Sequence, residues 1–185
     1  PQARHIGVTD DFVIIGNTSE GGTNYPYRVR WSALNDEADW DTSAVTQAGA
    51  QDLPEFGWVQ RIIGFGRDAY VLQERAIRVM RYEGTPTKFR FDVVEQNRGA
   101  ISPQSVVAFG RYIFYLADDG FYMFDGAQSH AIGKEKVDQT FYDDVDPQYM
   151  YAISATIDPK RALVAWAYRS NSATVGAPVC DKILF

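Results

Sequence analysis

Short hydrophobic runs separated by turn residues recur along this chain, and the clearest set lies between residues 105 and 126. It contains three runs of β-branched and aromatic residues, at 106–109, 112–116 and 121–124. Gly110-Arg111 and Asp118-Asp119-Gly120 separate these runs, and Asp-Gly in such a place is a strong indication of a tight hairpin. We therefore predict a three-stranded antiparallel meander, extended by a fourth strand near residues 129–132.

This meander is hydrophobic on both of its faces. In its second run, Tyr112, Phe114 and Leu116 point to one side, whereas Ile113 and Tyr115 point to the other. An antiparallel sheet with one face in water carries hydrophobic residues on one side only. We therefore expect both faces of this small sheet to be covered by other parts of the protein.

The same order of hydrophobic run, turn and hydrophobic run occurs at three further places, residues 5–15, 62–72 and 153–166. In the second of these, Gly66-Arg67 occupies the place of Gly110-Arg111. The four turns lie about 44 to 57 residues apart, a spacing typical of four-stranded sheets repeated radially as propeller blades. The sequence therefore predicts an all-β fold, a propeller-like array of four-stranded antiparallel blades with about three complete and one truncated.

The predicted blades occupy residues 4–40, 57–95, 105–132 and 149–185. Blade one is expected to have strands at 5–8, 12–15 and 28–32, with a polar surface loop at 17–24. Blade two is expected to have strands at 59–65, 69–73, 77–82 and 89–94. The last of these is predicted to be an outer strand, because its hydrophobic and charged residues alternate. Residues 41–54 contain few large hydrophobic residues and are expected to connect the two blades.

A short helix is predicted before blade four, at residues 134–146. Val137, Phe141 and Val145 lie there at positions i, i+4 and i+8, and Pro147 ends the pattern. Blade four is expected to have strands at 153–157, 162–166 and 181–185, with no fourth strand. We therefore expect a single propeller-like domain, or a segment of a longer propeller chain whose last blade is completed from elsewhere.

Composition and charge exclude several classes of protein. The 185 residues carry a net charge of −6, which argues against a general nucleic-acid-binding protein. The one cysteine, Cys180, excludes an internal disulfide framework, and no hydrophobic run has the length of a membrane span. Residues 60–111 nevertheless carry a surplus of basic residues, which we interpret as solvated strand positions, with a partner-facing patch as the alternative. They include Arg61, Arg78, Arg81 and Arg90.

The spacing of polar residues predicts no catalytic residue, no cofactor and no metal site. Either His5 or His130 could serve as a base, yet no serine sits in a nucleophile elbow, and Cys180 has no nearby basic partner in the sequence. Gly64-Phe65-Gly66 is followed by a strand instead of a helix, so it does not form a phosphate loop. The acidic segment 35–40 lacks the spacing of a calcium loop, and we expect it to be solvated.

Two groups of side chains remain as candidates for chemistry or contact. The paired carboxylates of Asp118-Asp119 and Asp143-Asp144 suggest glycoside hydrolysis as an alternative, although the turn explains the first pair. The four tryptophans are expected to fill gaps between blades, and several exposed together would instead mark a protein contact. They are Trp31, Trp40, Trp58 and Trp166.

Several motifs resemble those of structural proteins of tailed bacteriophages and prophages, and the likeness covers most of the chain. They are Arg4-His5-Ile6, residues 12–17, residues 27–32, Trp40-Asp41, residues 73–77 and residues 114–126. The similarity is strongest to the propeller-containing proteins of short-tailed phages that build the tail tube or plug below the portal. These motifs are blade signatures, so they indicate the family better than the position in the virion.

The resemblance implies a non-enzymatic virion protein of the phage tail, made in the bacterial cytoplasm. The implied partners are portal and tail proteins and further copies of the chain in a ring, with DNA as transient cargo and no membrane. On this interpretation, loops at 17–24 and 171–178 carry assembly contacts, and an acidic channel surface lets DNA slide because it repels phosphates. The alternatives are a carbohydrate-active or carbohydrate-binding propeller and a propeller that serves as an interaction scaffold.

Overall fold

The computed structural model describes residues 2–174 and 179–185 of the chain. Within these residues, fifteen β-strands form four antiparallel sheets, accompanied by one short α-helix. The chain divides into two compact units, of which one ends at Arg98 and the other begins at Gly99. Each unit contains two sheets.

Sheet 1 is a meander in which each strand pairs with the next along the chain. Its strands are β1 (Gln2–Val8), β2 (Val13–Glu20), β3 (Thr23–Trp31) and β4 (Gly49–Asp52). Sheet 2 repeats this order with β5 (Val59–Phe65), β6 (Asp68–Gln73), β7 (Ala76–Gly84) and β8 (Lys88–Gln96). The four strands predicted between residues 59 and 94 are confirmed, and β8 is an outer strand, as its alternating pattern indicated.

The polar loop predicted at residues 17–24 is wrong, because most of these residues belong to β2 and β3. Glu20 pairs with Thr23 across the turn. Only Gly21 and Gly22 form that turn, with φ angles of 57° and 84° that favour glycine. The arms of this hairpin are largely polar and show no alternation of hydrophobic residues, so the sequence pattern could not indicate strands there.

The connector predicted at residues 41–54 is partly wrong, because it contains β4. This strand pairs with β3 from Arg28 opposite Asp52 to Trp31 opposite Gly49. β4 has four residues and none is a large hydrophobic residue, so its sequence shows no alternation of hydrophobic and polar residues. Hydrogen bonding to β3, instead of strand propensity, defines it.

Sheet 2 packs on sheet 1, and glycines allow the close approach. A Cβ atom on Gly7 would lie 2.5 Å from Cγ2 of Ile62, and one on Gly16 would lie 2.8 Å from Cγ1 of Val59. Gly64 in β5 is needed for the same reason, because a Cβ atom there would overlap with the carbonyl oxygen of Val8. The shared core includes Phe12, Ile14, Trp31, Val71, Met80 and Phe89.

The second unit contains sheets 3 and 4. Sheet 3 consists of β9 (Val107–Phe109), β10 (Tyr112–Leu116), β11 (Phe121–Phe124) and β12 (Ser129–Ala131). Sheet 4 consists of β13 (Ser154–Asp158), β14 (Leu163–Tyr168) and β15 (Lys182–Leu184). The prediction that β10 is covered on both faces is confirmed, because Ile113 and Tyr115 on one face and Leu116 on the other are all buried.

The α-helix of this unit, α1 (Asp138–Asp144), is shorter than the predicted helix at 134–146. The carbonyl oxygen of Gly133 accepts three backbone N–H groups in a turn that replaces the first part of the predicted helix. Phe141 and Val145 are buried, and Val137 packs on the same core, so the predicted hydrophobic stripe is confirmed. That core joins α1 to sheets 3 and 4.

The predicted fold class is confirmed. The chain is all-β and propeller-like, with three four-stranded meanders, one three-stranded sheet and a short helix among the described residues. No helix of the described part is long and apolar enough to cross a membrane. The loop predicted at residues 171–178 lies partly outside the described residues, which resume at Val179.

Candidate assembly surface

Sheet 1 has two faces of different character. Because side chains alternate along a strand, the register of β1 and β2 places Ile6 opposite Ile15 and Val8 opposite Val13 on one face. We call this surface, together with Arg4, the outer face of sheet 1. The opposite face, which we call the inner face, carries His5, Gly7, Ile14 and Gly16 and packs on sheet 2.

Two aliphatic side chains on the outer face are open to water. Ile6 is 63% exposed and Val8 is 61% exposed. A groove of about 370 Å³ follows β1 and is lined by Ile6, Val13, Ile15 and Trp40, among others. The outer face therefore presents a hydrophobic groove beside a half-buried tryptophan.

The loop before β4 holds Trp40 at this groove through polar contacts. Nη2 of Arg30 donates to the carbonyl oxygen of Trp40 at 2.6 Å, and Nε1 of Trp40 donates to the carbonyl oxygen of Glu37 at 2.9 Å. Within this acidic segment, Oδ1 of Asp36 accepts the N–H groups of Ala38 and Asp39. Segment 35–40 is therefore a structured loop that positions a tryptophan.

Most of the polar groups of the outer face are paired within the chain, although Nε of Arg30 is buried without a hydrogen-bond partner in the described part. Arg28 binds Asp52 through two hydrogen bonds of 2.7 and 3.0 Å. Arg30 donates to Glu20 at 2.8 Å, and Glu20 also lies 3.6 Å from Arg28. Hydrogen bonding to Asp52 is the largest cause of the raised pKa of Arg28. These charges are neutralised, whereas the hydrophobic part of the face is not covered.

The equivalent face of sheet 2 is buried. Thr9 donates its N–H to the carbonyl oxygen of Phe12 at 3.0 Å, which leaves a two-residue turn equivalent to Gly66-Arg67. Counted from these turns, the pair Val8–Val13 in sheet 1 is equivalent to the pair Gly64–Ala69 in sheet 2. The pair Ile6–Ile15 is in the same way equivalent to the pair Ile62–Val71. Ile62, Val71 and Ala69 are buried in the core with sheet 1. In sheet 2, therefore, this position is where a neighbouring sheet packs.

One end of the outer face is acidic. A groove of about 240 Å³ at this end is lined by Val8 and Val13 together with Asp10, Asp36 and Glu37. These three carboxylates make no ion pair with the described residues. Asp11 in the same turn differs, because it binds Nε of Arg67 of sheet 2 at 3.0 Å.

The two histidines occupy structural positions. His5 lies on the inner face of sheet 1, and its burial lowers its pKa to about 4, assisted by the positive charges of Arg61 and Arg4. It is therefore uncharged at neutral pH. Nε2 of His130 lies 2.8 Å from Oδ2 of Asp125 on an exposed strand.

The carboxylates and the thiol also make structural contacts. Asp119 accepts a hydrogen bond from Tyr122 Oη at 2.8 Å, and Asp144 accepts one from Tyr168 Oη at 2.9 Å. Burial and, to a lesser degree, the charge of Asp181 raise the pKa of the Cys180 thiol. Among the described residues, no cluster of three or more histidine, cysteine, aspartate or glutamate side chains is arranged to hold a metal ion.

The structure separates the four tryptophans into two classes. Trp31 and Trp166 are buried in the cores of the two units, as predicted. Trp40 is half-buried at the outer face, and Trp58 is half-exposed. The expectation that all four fill gaps between blades is therefore wrong for Trp58 and for Trp40, which lines the open groove of the outer face.

The basic residues of the segment 60–111 form no single unpaired patch. Arg78 is buried, which contradicts its predicted solvated position, and it donates to Gln73 and Glu55. Arg81 and Arg90 share the carboxylate of Asp92, and Arg90 also lies 2.8 Å from Glu83, so their charges are largely compensated.

The sequence pattern did not predict the outer face. Ile6 and Val8 were recognised as strand residues, but nothing in their alternation with His5 and Gly7 distinguishes an open face from a covered one. The available indication was Gly7, because a glycine inside a strand often marks a site that another part of the protein approaches closely.

A scan against protein-family profiles and a search of curated proteins find no match for this chain. The likeness to tailed-phage proteins therefore depends on the blade motifs quoted above.

Proposed function

We propose that this chain is a non-enzymatic structural subunit that acts through contacts between β-sheets, as the resemblance implies for tail-tube or plug proteins of short-tailed phages. The observation that carries the proposal is the pair Ile6 and Val8, each more than 60% exposed on the outer face of sheet 1. Burying one such side chain contributes about 1.5–3 kcal/mol. A face with this composition is stabilised by a protein partner.

The position of β1 supports this proposal. β1 is the end strand of sheet 1, and the one charged side chain that it directs to the outer face is Arg4. Natural sheets protect their ends with charges, prolines or covering segments. β1 has little protection of this kind among its own residues, which favours a partner that covers it.

The polar groups support a structural role in a second way. His5 is neutral and buried, and Asp119 and Asp144 are bound to tyrosine hydroxyl groups. Catalysis by carboxylates or histidines needs side chains that converge on a substrate. The described candidates are instead distributed over separate strands and turns, where they stabilise local structure.

In the proposed setting, the chain belongs to a ring around the path of the DNA in a virion tail. Its net charge of −6 suits such a path, because an acidic wall repels phosphates and lets the nucleic acid slide. The map of an assembled particle tests this point. A basic lining contributed by this chain would contradict it.

The test of the proposed function is the content of purified particles. Tailed particles from the strain that encodes the chain are banded in a density gradient, and the chain is quantified by mass spectrometry against the major capsid protein. We expect a fixed ratio of the two proteins across the particle band. Absence of the chain from a band that retains the capsid protein would contradict the proposal.

A second candidate function, carbohydrate binding, is favoured by one observation. A cavity of about 350 Å³ lies beside the half-exposed Trp58 and is lined by polar residues that include Gln2, Asn17 and Asn24. Sugars stack on aromatic rings and bind amide groups. Titration with neutral oligosaccharides, followed by tryptophan fluorescence, tests this function. Binding that is lost in Trp58→Ala and kept in Trp40→Ala would establish it.

A further inference from the structure

We propose that the outer face of sheet 1 docks onto sheet 4 of a second copy of the chain, so that β1 of one copy lies beside β13 of the other. This inference rests on the proposed structural function and names the partner of the same surface. Two observations carry it: the equivalence of the sheets and the charges of the turns.

Sheet 4 also has an open face. Its pairs Thr156–Ala165 and Ser154–Ala167 lie on the side opposite the core of the second unit. On this side Ile183 is 67% exposed. We call this surface the outer face of sheet 4. By the same alternation, the pair Asp158–Leu163 lies on this side too, so the face mixes small and larger side chains.

The packing within the first unit shows how such faces fit. Ile62 of sheet 2 packs against Gly7, and Val59 packs against Gly16, on the inner face of sheet 1. Ile6 holds in sheet 1 the position that Ile62 holds in sheet 2. The face that accepts Ile6 is therefore expected to match the inner face of sheet 1 in its position relative to the turn.

The outer face of sheet 4 meets this requirement. The pair Ile157–Val164 in sheet 4 is equivalent to the pair Val8–Val13 in sheet 1, counted from the turn. In sheet 4 this pair lies on the core side, so the open side of sheet 4 is equivalent to the inner face of sheet 1. By this count, Thr156 corresponds to Gly7 and Ala167 corresponds to Gly16. Thr156 and Ala167 carry the Cβ atoms that Gly7 and Gly16 lack, so the two sheets of the proposed contact lie farther apart than sheets 1 and 2.

The charges of the turns agree with the same arrangement. Lys160 and Arg161 lie exposed in the turn between β13 and β14; the Arg161 side chain is 81% exposed and lies 3.8 Å from Asp158, so the turn keeps a net positive charge. At the corresponding end of sheet 1 lie the unpaired carboxylates of Asp10, Asp36 and Glu37. Between sheets 1 and 2, the equivalent turns are joined by an ion pair. Opposite charges at neighbouring turns favour this docking and fix its direction.

Because the two faces differ, the proposed contact is heterologous. Each copy offers one face of each kind, so the contact closes into a ring or extends as a filament. It also predicts a specific result for cross-linking. A group on the outer face of sheet 1 meets a group on sheet 4 of another copy, and never its own equivalent.

Cross-linking of mixed single-cysteine variants tests this prediction. Both variants carry Cys180→Ser, one with Ile6→Cys and the other with Thr156→Cys, and a short bis-maleimide is added to each protein and to their mixture. We expect cross-linked dimers in the mixture about tenfold faster than in either protein alone, because docking raises the effective concentration of the two thiols. Val45→Cys, which is 91% exposed in the turn before β4, serves as the partner in a control mixture.

The charges provide a second measurement. Lys160→Glu with Arg161→Glu, introduced into the Thr156→Cys variant, is expected to slow cross-linking several-fold at low salt, and the difference is expected to shrink as salt screens the turns. Circular dichroism confirms that each variant is folded.

The outcomes separate this inference from the proposed function. Equal cross-linking in the mixture and the Val45→Cys control would overturn the inference, as would rapid cross-linking of Ile6→Cys with itself. A chain that carries both Ile6→Cys and Thr156→Cys, and that cross-links only within itself, would also overturn it. In each of these cases the chain can still be found in purified particles. Rapid specific cross-linking of a chain that is absent from particles would instead keep the inference and remove the proposed function.

Discussion

The two faces of sheet 1 are built from the same two strands, yet one is closed and the other is open. On the inner face, Gly7 and Gly16 admit Ile62 and Val59, and the two sheets share a core. On the outer face, Ile6 and Val8 stand more than 60% exposed. The difference shows that hydrophobic residues alone do not complete a sheet-to-sheet contact, because one face must also offer room.

The comparison also separates residues that hold the fold from residues that the fold displays. Substitutions on the inner face change a packed core, and their cost includes lost contacts and a cavity. Substitutions on the outer face change surface that is already in water. Stability and association are therefore expected to respond to different faces of one sheet.

The largest effect on stability is expected from Trp31→Ala. Trp31 is buried on the inner face, its ring lies 5.1 Å from that of Phe89, and its Nε1 donates to the carbonyl oxygen of Gln47. Removing a buried tryptophan costs about 3–5 kcal/mol. Urea unfolding followed by circular dichroism measures this loss. Trp58→Ala is the matched control, and an equal loss in both variants would contradict the assignment of the core.

The next effect is a dependence of stability on pH that arises from His5. The pKa of His5 is lowered to about 4 in the folded chain, so folding disfavours its protonated form. The contribution of His5 to the free energy of unfolding is fully present above the ordinary histidine pKa, about 6.5. It is lost as the pH falls from there towards 4, and the total loss is about 2 to 3 kcal/mol.

Comparison with His5→Gln isolates this contribution from that of the carboxylates. The free energy of unfolding of both proteins is measured between pH 7 and pH 4. We expect the difference between them to change steadily in favour of the variant as the pH falls. A difference that stays constant over this interval would show that His5 is accessible to protons in the folded state.

A smaller effect is expected where the turns of sheets 1 and 2 meet. Arg67 binds Asp11 there at 3.0 Å, but the arginine side chain is 65% exposed. Exposed pairs of this kind contribute about 0.2–1 kcal/mol. A double-mutant cycle with Arg67→Ala and Asp11→Ala measures the coupling. A coupling energy well above this range would place the pair in a drier environment than the structure shows.

The smallest effect on folding is expected from Ile6→Thr and Val8→Thr together. Both side chains are largely in water in the single chain, and threonine retains the β-branched shape that suits a strand. At high dilution, the free energy of unfolding is expected to stay within about 0.5 kcal/mol of that of the unchanged chain. A large loss would mean that another part of the same chain covers the outer face.

Sequence patterns predicted the elements whose residues carry a clear period. The strands of sheet 2 and the meander around Tyr112 were predicted because β-branched and aromatic residues alternate between recognisable turns. β4 and the outer part of the β2–β3 hairpin were not predicted, because their residues are polar or small and only pairing with a neighbour defines them. Helix α1 was predicted too long, because a turn closed on Gly133 precedes it.

The candidate surface was less predictable than the fold. A strand pattern shows that Ile6 and Val8 share a face, but only the assembled sheets show which face remains open. The acidic groove has the same origin, since Asp10 and Glu37 come from different turns and line one groove only after folding. Sequence patterns predict faces, whereas tertiary packing decides which of them are available.

Sedimentation equilibrium tests most directly whether the open side of sheet 1 serves for assembly. The unchanged chain and the variant with both Ile6→Thr and Val8→Thr are compared over a range of concentrations. We expect the average mass of the unchanged chain to rise above that of one chain as concentration increases, and the variant to remain at the mass of one chain. An unchanged chain that stays monomeric throughout, or a variant that associates equally well, would contradict this account.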